Sequence, residues 1–415
     1  MTPRQGSRSH RSGKEGRSYS LFLLSIFYRY HKSYQLKNLF ILTNFLHFIL
    51  NNGKNMIYFT LNTFWKEVDK MVEMKKIVSY LFIFVLMLGT APNAASANSY
   101  SFKSTTGWAS INADGVNGTT GGSGGTEVTV TNAADLERYA TANGKYIIKV
   151  SGSINLSPKG KYIDVSSNKT IVGLNASSEI INGGLKIRGS NVIVKNLTIR
   201  GTYVEGDWDG KTNDYDGIQI TGKDAHHIWI DHVTMRKHGD GLIDIVNGAN
   251  YVTISNSRFE QHNKSITISG NDNDTNTDKY KVTIQDCWFR GTTQRNPRVR
   301  FGMVHLYNNY YSDMGKYGRD MGYSSSLGYA IGVGVSAKIY SENNYFENLR
   351  HPTSFIDTTS KPGYIRDSGS YFVNSGSMTT RASGVTWKPS DYYSYTLRNA
   401  SQVRSHVINN AGAGK

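Results

Sequence analysis

Six short segments of this chain repeat one pattern, and no other feature restricts the fold as much. VIVKNLTI begins at Val192, IWIDHVTM at Ile228, VTISNSRF at Val252, VTIQDCWF at Val282, VHLYNNYY at Val304 and IYSENNYF at Ile339. Each alternates apolar and polar residues, as a strand with one buried face must. Each then reaches a polar residue and continues into a second short segment ending in an aromatic or aliphatic side chain. That polar marker is Asn196, His232, Asn256, Asp286, Asn308 and Asn343, with separations of 36, 24, 30, 22 and 35 residues. A unit that stays constant while its spacing varies above a minimum near 22 residues describes coils stacked along one axis, with insertions confined to the loops. Asn at such a bend tolerates left-handed backbone, and stacked amides are expected to bond along the coil axis. The expected fold class is all-β, a single-domain parallel β-helix. A β-sandwich would also show short alternating strands, but two-residue hairpin turns between neighbouring strands are scarce. Residues 353–415 are read as a closing layer over the helix.

The N-terminus needs a different reading. From Met74 the chain runs MKKIVSYLFIFVLMLGTAPNAASA, a basic start, an apolar run of 12 residues from Ile77 to Leu88, and the small residues Ala95-Ser96-Ala97. That is the grammar of a secretory signal cleaved after Ala97, and the run is shorter than the roughly 20 residues a transmembrane helix requires. The expected organisation is residues 1–70 as a mis-extended, untranslated start, 71–97 as signal peptide and 98–415 as the parallel β-helix domain. It predicts a secreted, extracellular protein with no membrane association after cleavage. The single Cys287 excludes an internal disulfide, so the exported fold rests on its core.

The chain carries 47 Lys and Arg against 31 Asp and Glu. Thirteen of the basic and only four of the acidic residues precede Asn98, so the remainder is +7. A modest positive balance without a Lys/Arg-rich tract disfavours nucleic acid as partner and leaves an acidic polysaccharide open.

Acidic residues recur on consecutive units as Asp214-Tyr215-Asp216 and Asp240-Gly241-Leu242-Ile243-Asp244. Stacked coils would bring these carboxylates to one surface spot, where like charges repel unless a cation lies between them. Oxygen-only ligands in an open, irregular cluster favour Ca²⁺. Asp residues in Gly-rich loops also make turns and caps, and spacing alone leaves both readings standing. Asp272, Asp274 and Asp278 are read as loop residues.

Gln294-Arg295-Asn296-Pro297-Arg298-Val299-Arg300 directly precedes a repeat unit, with Lys264 one coil earlier. A cationic strip of this kind suits a polymer with regularly spaced carboxylates. At this point the chain resembles polysaccharide lyase family 1, the pectate lyases. Trp229-Ile230-Asp231-His232 is similar to its WIDH signature, Arg295-x-Pro297-x-x-Arg300 to its RxPxxR signature, and Lys264 to Gly270 to its lysine-bearing strand.

The resemblance implies a right-handed parallel β-helix acting as a monomer on polygalacturonate by calcium-dependent β-elimination. It assigns Asp216, Asp240 and Asp244 as calcium ligands and Asp214 as a further acid for calcium. Arg295 becomes the catalytic base, Lys264 and Arg300 the groups that grip substrate carboxylates, and Trp229, Asp231 and His232 a supporting element. Many members carry Glu where this chain has Asp240. A guanidinium is an awkward base, and the other assignment makes Arg295 a clamp and Lys264 the base. A pectin lyase acting on methyl-esterified substrate would not need the acids. A glycoside hydrolase on this fold would leave the arginine strip unexplained, and a non-catalytic β-helix would show repeats without convergent acids and bases.

Overall fold

A computed structural model describes residues 104, 106–323 and 328–415. The expected signal and the extension before it lie outside the described residues. One turn of the chain illustrates the rest: His226–Asp231, Thr234–Arg236 and Gly241–Val246 each enter a different sheet, and Asn250–Ser255 then returns to the first. Repetition produces parallel sheets of ten, nine and eight strands, so the protein is an all-β parallel β-helix.

The register explains why the repeat folds this way. In the eight-stranded sheet Val165, Ile187, Ile220, Ile245, Ile268, Val299, Val333 and Phe355 occupy one register position on successive coils. β-Branched side chains suit this stacking on a pleated surface, and each coil buries its apolar face against the next. The nine-stranded sheet contributes an aromatic column in which Phe259, Phe289, Tyr311, Phe346 and Phe372 stack with ring centroids 4.8–5.1 Å apart.

All six marker residues adopt left-handed backbone, with φ between 45° and 55°. The axial amide bonds lie partly at the markers, where Asn256 donates to Asp231 Oδ1 at 3.0 Å, and partly one residue further on. Asn196, Asn308 and Asn343 donate to the carbonyls of Gly173, Thr396 and Arg398. Asn309 and Asn344, buried at the next position, carry the bonds from coil to coil: Cys287 N donates to Asn309 Oδ1 at 3.0 Å, and Asn309 N to Asn344 Oδ1 at 2.9 Å. Asn196 thus reaches the preceding coil, Asn308 and Asn343 reach the C-terminal segment, and the residue after the last two points back into the stack.

The closing layer begins later than expected. His351–Ile356, Tyr364–Ser368 and Tyr371–Val373 form one more coil, with Gly369 (φ 73°) where the other coils place the marker. Glycine adopts this backbone without a Cβ penalty, so this coil carries no polar marker in its sequence. Beyond it, Trp387 and Tyr393 pack with Trp108 on the ten-stranded sheet, and Val403 and Val407 of the helix Ala400–Asn410 pack on Tyr310 and Tyr345 of the nine-stranded sheet. The terminal segments thus lie along two sheets, and the third carries the acids and cations.

Candidate active site

Asp216 lies two residues before strand Ile218–Thr221, Asp240 immediately precedes Gly241–Val246, Lys264 opens Lys264–Ile268, and Arg295 precedes Arg298–Val299. These are four neighbouring strands of the eight-stranded sheet. Gly241 pairs with Lys264, and Lys264 with Gln294, so acids and cations meet across successive coil steps. One register position runs Gln219, Asp244, Thr267, Arg298 along the helix axis.

Carboxylate oxygens of Asp214, Asp216 and Asp240 lie within 4.8 Å of one another. Asp244 borders them from beneath. A Cβ added to Gly241 would collide with Asp244 Oδ1 and sit 3.0 Å from Asp216 Oδ1, so only glycine leaves the space between those two carboxylates open. Asp216 is buried and accepts from Gly241 N at 2.8 Å. Asp244 Oδ1 is buried without a hydrogen-bond partner. Burial, then the charge of Asp244, pushes the Asp216 carboxyl well above the usual carboxylate range. Burial also pushes Asp244 up to about 7, against the pull of Arg295 and with the repulsion of Asp240 and Asp214. Asp214 is raised too, by burial and by Asp240. Carboxylates this close disfavour one another's ionisation.

The cations face the acids directly. Lys264 Nζ lies 2.5 Å from Asp240 Oδ1 and also donates to the carbonyl of Asp209. Arg295 Nη1 donates to Thr267 Oγ1 at 3.0 Å and stands 3.8 Å from Asp240 Oδ2, while its Nε is buried without a partner. The backbone of Arg295 is left-handed, φ 60°, an uncommon choice for a long side chain that aims it across the strand beside Asp240. Arg300 lies further along the sheet, its Nε 2.5 Å from Asp272 Oδ1.

Several supporting residues carried no sequence signal. The carboxylate of Asp207 accepts the backbone amides of Lys211, Thr212 and Asn213 at 2.8–3.1 Å, shaping the loop that delivers Asp214. Trp208 stacks on Tyr323 with centroids 4.6 Å apart, and its carbonyl accepts from Asn263 Nδ2 at 3.0 Å. His262 Nε2 lies 2.6 Å from the Asp240 carbonyl, and burial pushes this imidazole down to about 4, so it stays neutral at working pH. Asp274 takes the loop role expected of it, accepting from Ser269 Oγ at 2.7 Å and from Tyr280.

The Trp229–His232 signature stands elsewhere, on the ten-stranded sheet. Asp231 accepts from His232 Nδ1 and Ser255 Oγ at 2.7 Å, from Asn256 Nδ2 at 3.0 Å and from Lys195. Those donors outweigh its burial and hold its carboxyl below the usual range. The network ties three coils together, in keeping with a supporting role.

The family model described as pectate lyase matches residues 74–415. A pectate trisaccharide-lyase of Thermotoga sp. (strain RQ2) is 35% identical over 331 residues, 74% of this chain and 88% of the relative. Pectate lyase E of Dickeya chrysanthemi is 34% identical over 365 residues, 75% of this chain and 90% of the relative. Among solved structures, a pectate lyase bound to hexasaccharide superposes with TM-score 0.62 at 27% identity, covering 77% of this chain and 99% of that one. The fold, the family model and the relatives agree, and the chain belongs to the pectate lyase family of polysaccharide lyases.

Proposed function

We propose that the protein is a secreted, calcium-dependent pectate lyase that cleaves α-1,4-polygalacturonate by β-elimination, leaving 4,5-unsaturated oligogalacturonates. The observation that carries this reading is the meeting of Asp214, Asp216 and Asp240 with Lys264 and Arg295 on neighbouring strands of one sheet. The donor set fits calcium: all the ligand atoms are carboxylate oxygens, and Asp244 Oδ1 is buried with no partner of its own. Asp216, Asp240 and Asp244, with Asp214 beside them, would hold the ion. When bound, calcium would neutralise the substrate carboxylate and so make the neighbouring C5 proton more acidic.

The chain's own residues do the rest. Lys264 and Arg300 hold uronate carboxylates, and Lys264 sits close enough to Asp240 to keep its charge at the centre of the site. Arg295 takes the C5 proton. The C5–H electron pair becomes the C4–C5 double bond, the C4–O4 pair leaves with O4, and water supplies the proton that O4 requires. A guanidine is a base only when deprotonated, so alkaline solution favours this step. Lys264 suits the base less well, because its ammonium is already held by Asp240 and the Asp209 carbonyl.

The signal-like segment at 71–97 supports export with cleavage after Ala97, and N-terminal sequencing of exported protein checks it by starting at Asn98. In this reading the protein acts as a monomer. The decisive assay follows ultraviolet absorbance of the unsaturated product on polygalacturonate at alkaline pH, with and without chelator. Chelator-sensitive growth is expected. Chelator-insensitive growth favouring methylated pectin would move the reading to pectin lyase, new reducing ends without absorbance would mean hydrolysis, and neither signal would leave a binding protein.

A further inference from the structure

Arg300 is nine-tenths buried and already has a carboxylate. Its Nε lies 2.5 Å from Asp272 Oδ1, and its Nη1 donates to the Ser269 carbonyl at 3.0 Å. Asp272 belongs to the loop between strands Lys264–Ile268 and Lys281–Gln285, with its side chain 48% exposed. Asp274 pins the base of that loop through Ser269 and Tyr280, and Lys361 Nζ reaches the Asp272 carbonyl at 3.3 Å and Asn273 Oδ1 at 3.4 Å. The carboxylate of Asp272 can therefore leave Arg300 by rotating its own side chain while the loop stays in place. Arg298 stands beside this pair, and its Nε is buried without a partner. Burial and the charge of Arg300 push its guanidinium below the ordinary value, so a second anion arriving here would be welcomed.

We propose that Asp272 is an internal competitor for the substrate: its carboxylate keeps the place at Arg300 that a substrate uronate carboxylate takes, and only an ionised uronate displaces it. The inference rests on the lyase reading above and names the substrate feature that site selects. A uronate exchanges one charge-assisted hydrogen bond for another and gains Arg298 besides. A methyl ester is neutral, so it cannot replace the bond that Asp272 gives up. An internal competitor thus lowers affinity for uronate, while an ester that leaves Asp272 in place neither loses that bond nor gains Arg300.

The test compares the wild-type protein with Asp272→Asn on polygalacturonate and on partly methyl-esterified pectin. Freeing Arg300 should lower KM on polygalacturonate several-fold, up to about tenfold, the equivalent of one charge-assisted hydrogen bond. It should move kcat less than KM, leave KM on esterified pectin nearly unchanged and so widen the preference for de-esterified polymer. In an Arg300→Ala background the same substitution should leave KM where it was. An unchanged or raised KM in Asp272→Asn with an unaltered melting temperature would overturn the proposal, because Asp272 would then merely orient Arg300. A KM that falls equally without Arg300 would overturn it too. Calorimetric binding of de-esterified oligogalacturonate to Asp272→Ala gives an independent reading, with a fall in Kd expected. A wild-type protein with no eliminase activity on either polymer would instead remove the functional reading itself.

Discussion

Lys264 and Asp240 face each other across one coil step, with Nζ 2.5 Å from Oδ1. A residue assigned to substrate is thereby paired with a residue assigned to calcium, and the two roles are coupled. Removing the ammonium concentrates negative charge on the acids, so Lys264→Met should bind calcium more tightly while losing turnover. The expected loss in kcat is about 10²-fold or more, the usual cost of deleting a preorganised charge. Isothermal titration of calcium alongside product absorbance separates the two effects. If calcium affinity weakened, Lys264 would be a structural brace of the acids.

Raised carboxyls make a stability prediction with a definite sign. Asp214, Asp216 and Asp244 all titrate higher folded than free, with Asp244 at about 7. Between the ordinary carboxylate value of about 4 and that point, the folded chain holds protons the unfolded chain has released. Their contribution to stability is therefore complete below about pH 4 and is lost as pH rises toward 7. Buried His238 and His262, lowered to about 3 and about 4, have the opposite sign and favour folding as pH rises. The histidines are present with and without metal, so the difference between calcium and chelator isolates the acids. The calcium-induced rise in Tm should grow between about pH 5 and pH 8 and then level off, and Asp244→Asn should flatten it. A difference independent of pH would remove calcium from this cluster.

Arg295 touches Thr267 and borders Asp240, and its Nε is buried without a partner. If it accepts the proton, Arg295→Ala should lower kcat by about 10³-fold, within the range for a lost general base. Calcium affinity should shift far less. Retention of most of kcat with a raised KM would make Arg295 a clamp and return the base to Lys264.

Much of this was legible because a coil-stacked fold converts sequence order into spatial order. Asp216, Asp240, Lys264 and Arg295 stand in chain order and meet on one sheet because each lies beside a strand of successive coils. The left-handed bends at Asn196 and Asn343 followed from the chemistry of the markers. Other features depended on loops whose paths no period encodes. Asp272 read as an ordinary polar loop residue, yet the chain folds back to set it against Arg300. The last coil was hidden because Gly369 replaces the polar marker. Part of the amide ladder lies one residue after the marker, because the side chains of Asn308 and Asn343, unlike that of Asn309, reach the C-terminal segment.

The aromatic column offers a test of the scaffold that is independent of the site. Tyr311 is fully buried between Phe289 and Phe346, nearly parallel to both, at centroid distances of 5.0 and 4.8 Å. Its hydroxyl is buried without a partner. Phenylalanine would keep the stacked ring and discard the stranded polar atom, whose burial costs about 1–3 kcal/mol. Tyr311→Phe should therefore stabilise the protein by about 1 kcal/mol, read as a higher urea midpoint at constant slope, without changing KM. Tyr311→Ala removes the ring itself and should cost about 3–5 kcal/mol, as large-to-small changes in a packed core do. Were Tyr311→Phe destabilising, the hydroxyl would have a partner, most simply a buried water between coils, and the column would be held by more than its rings.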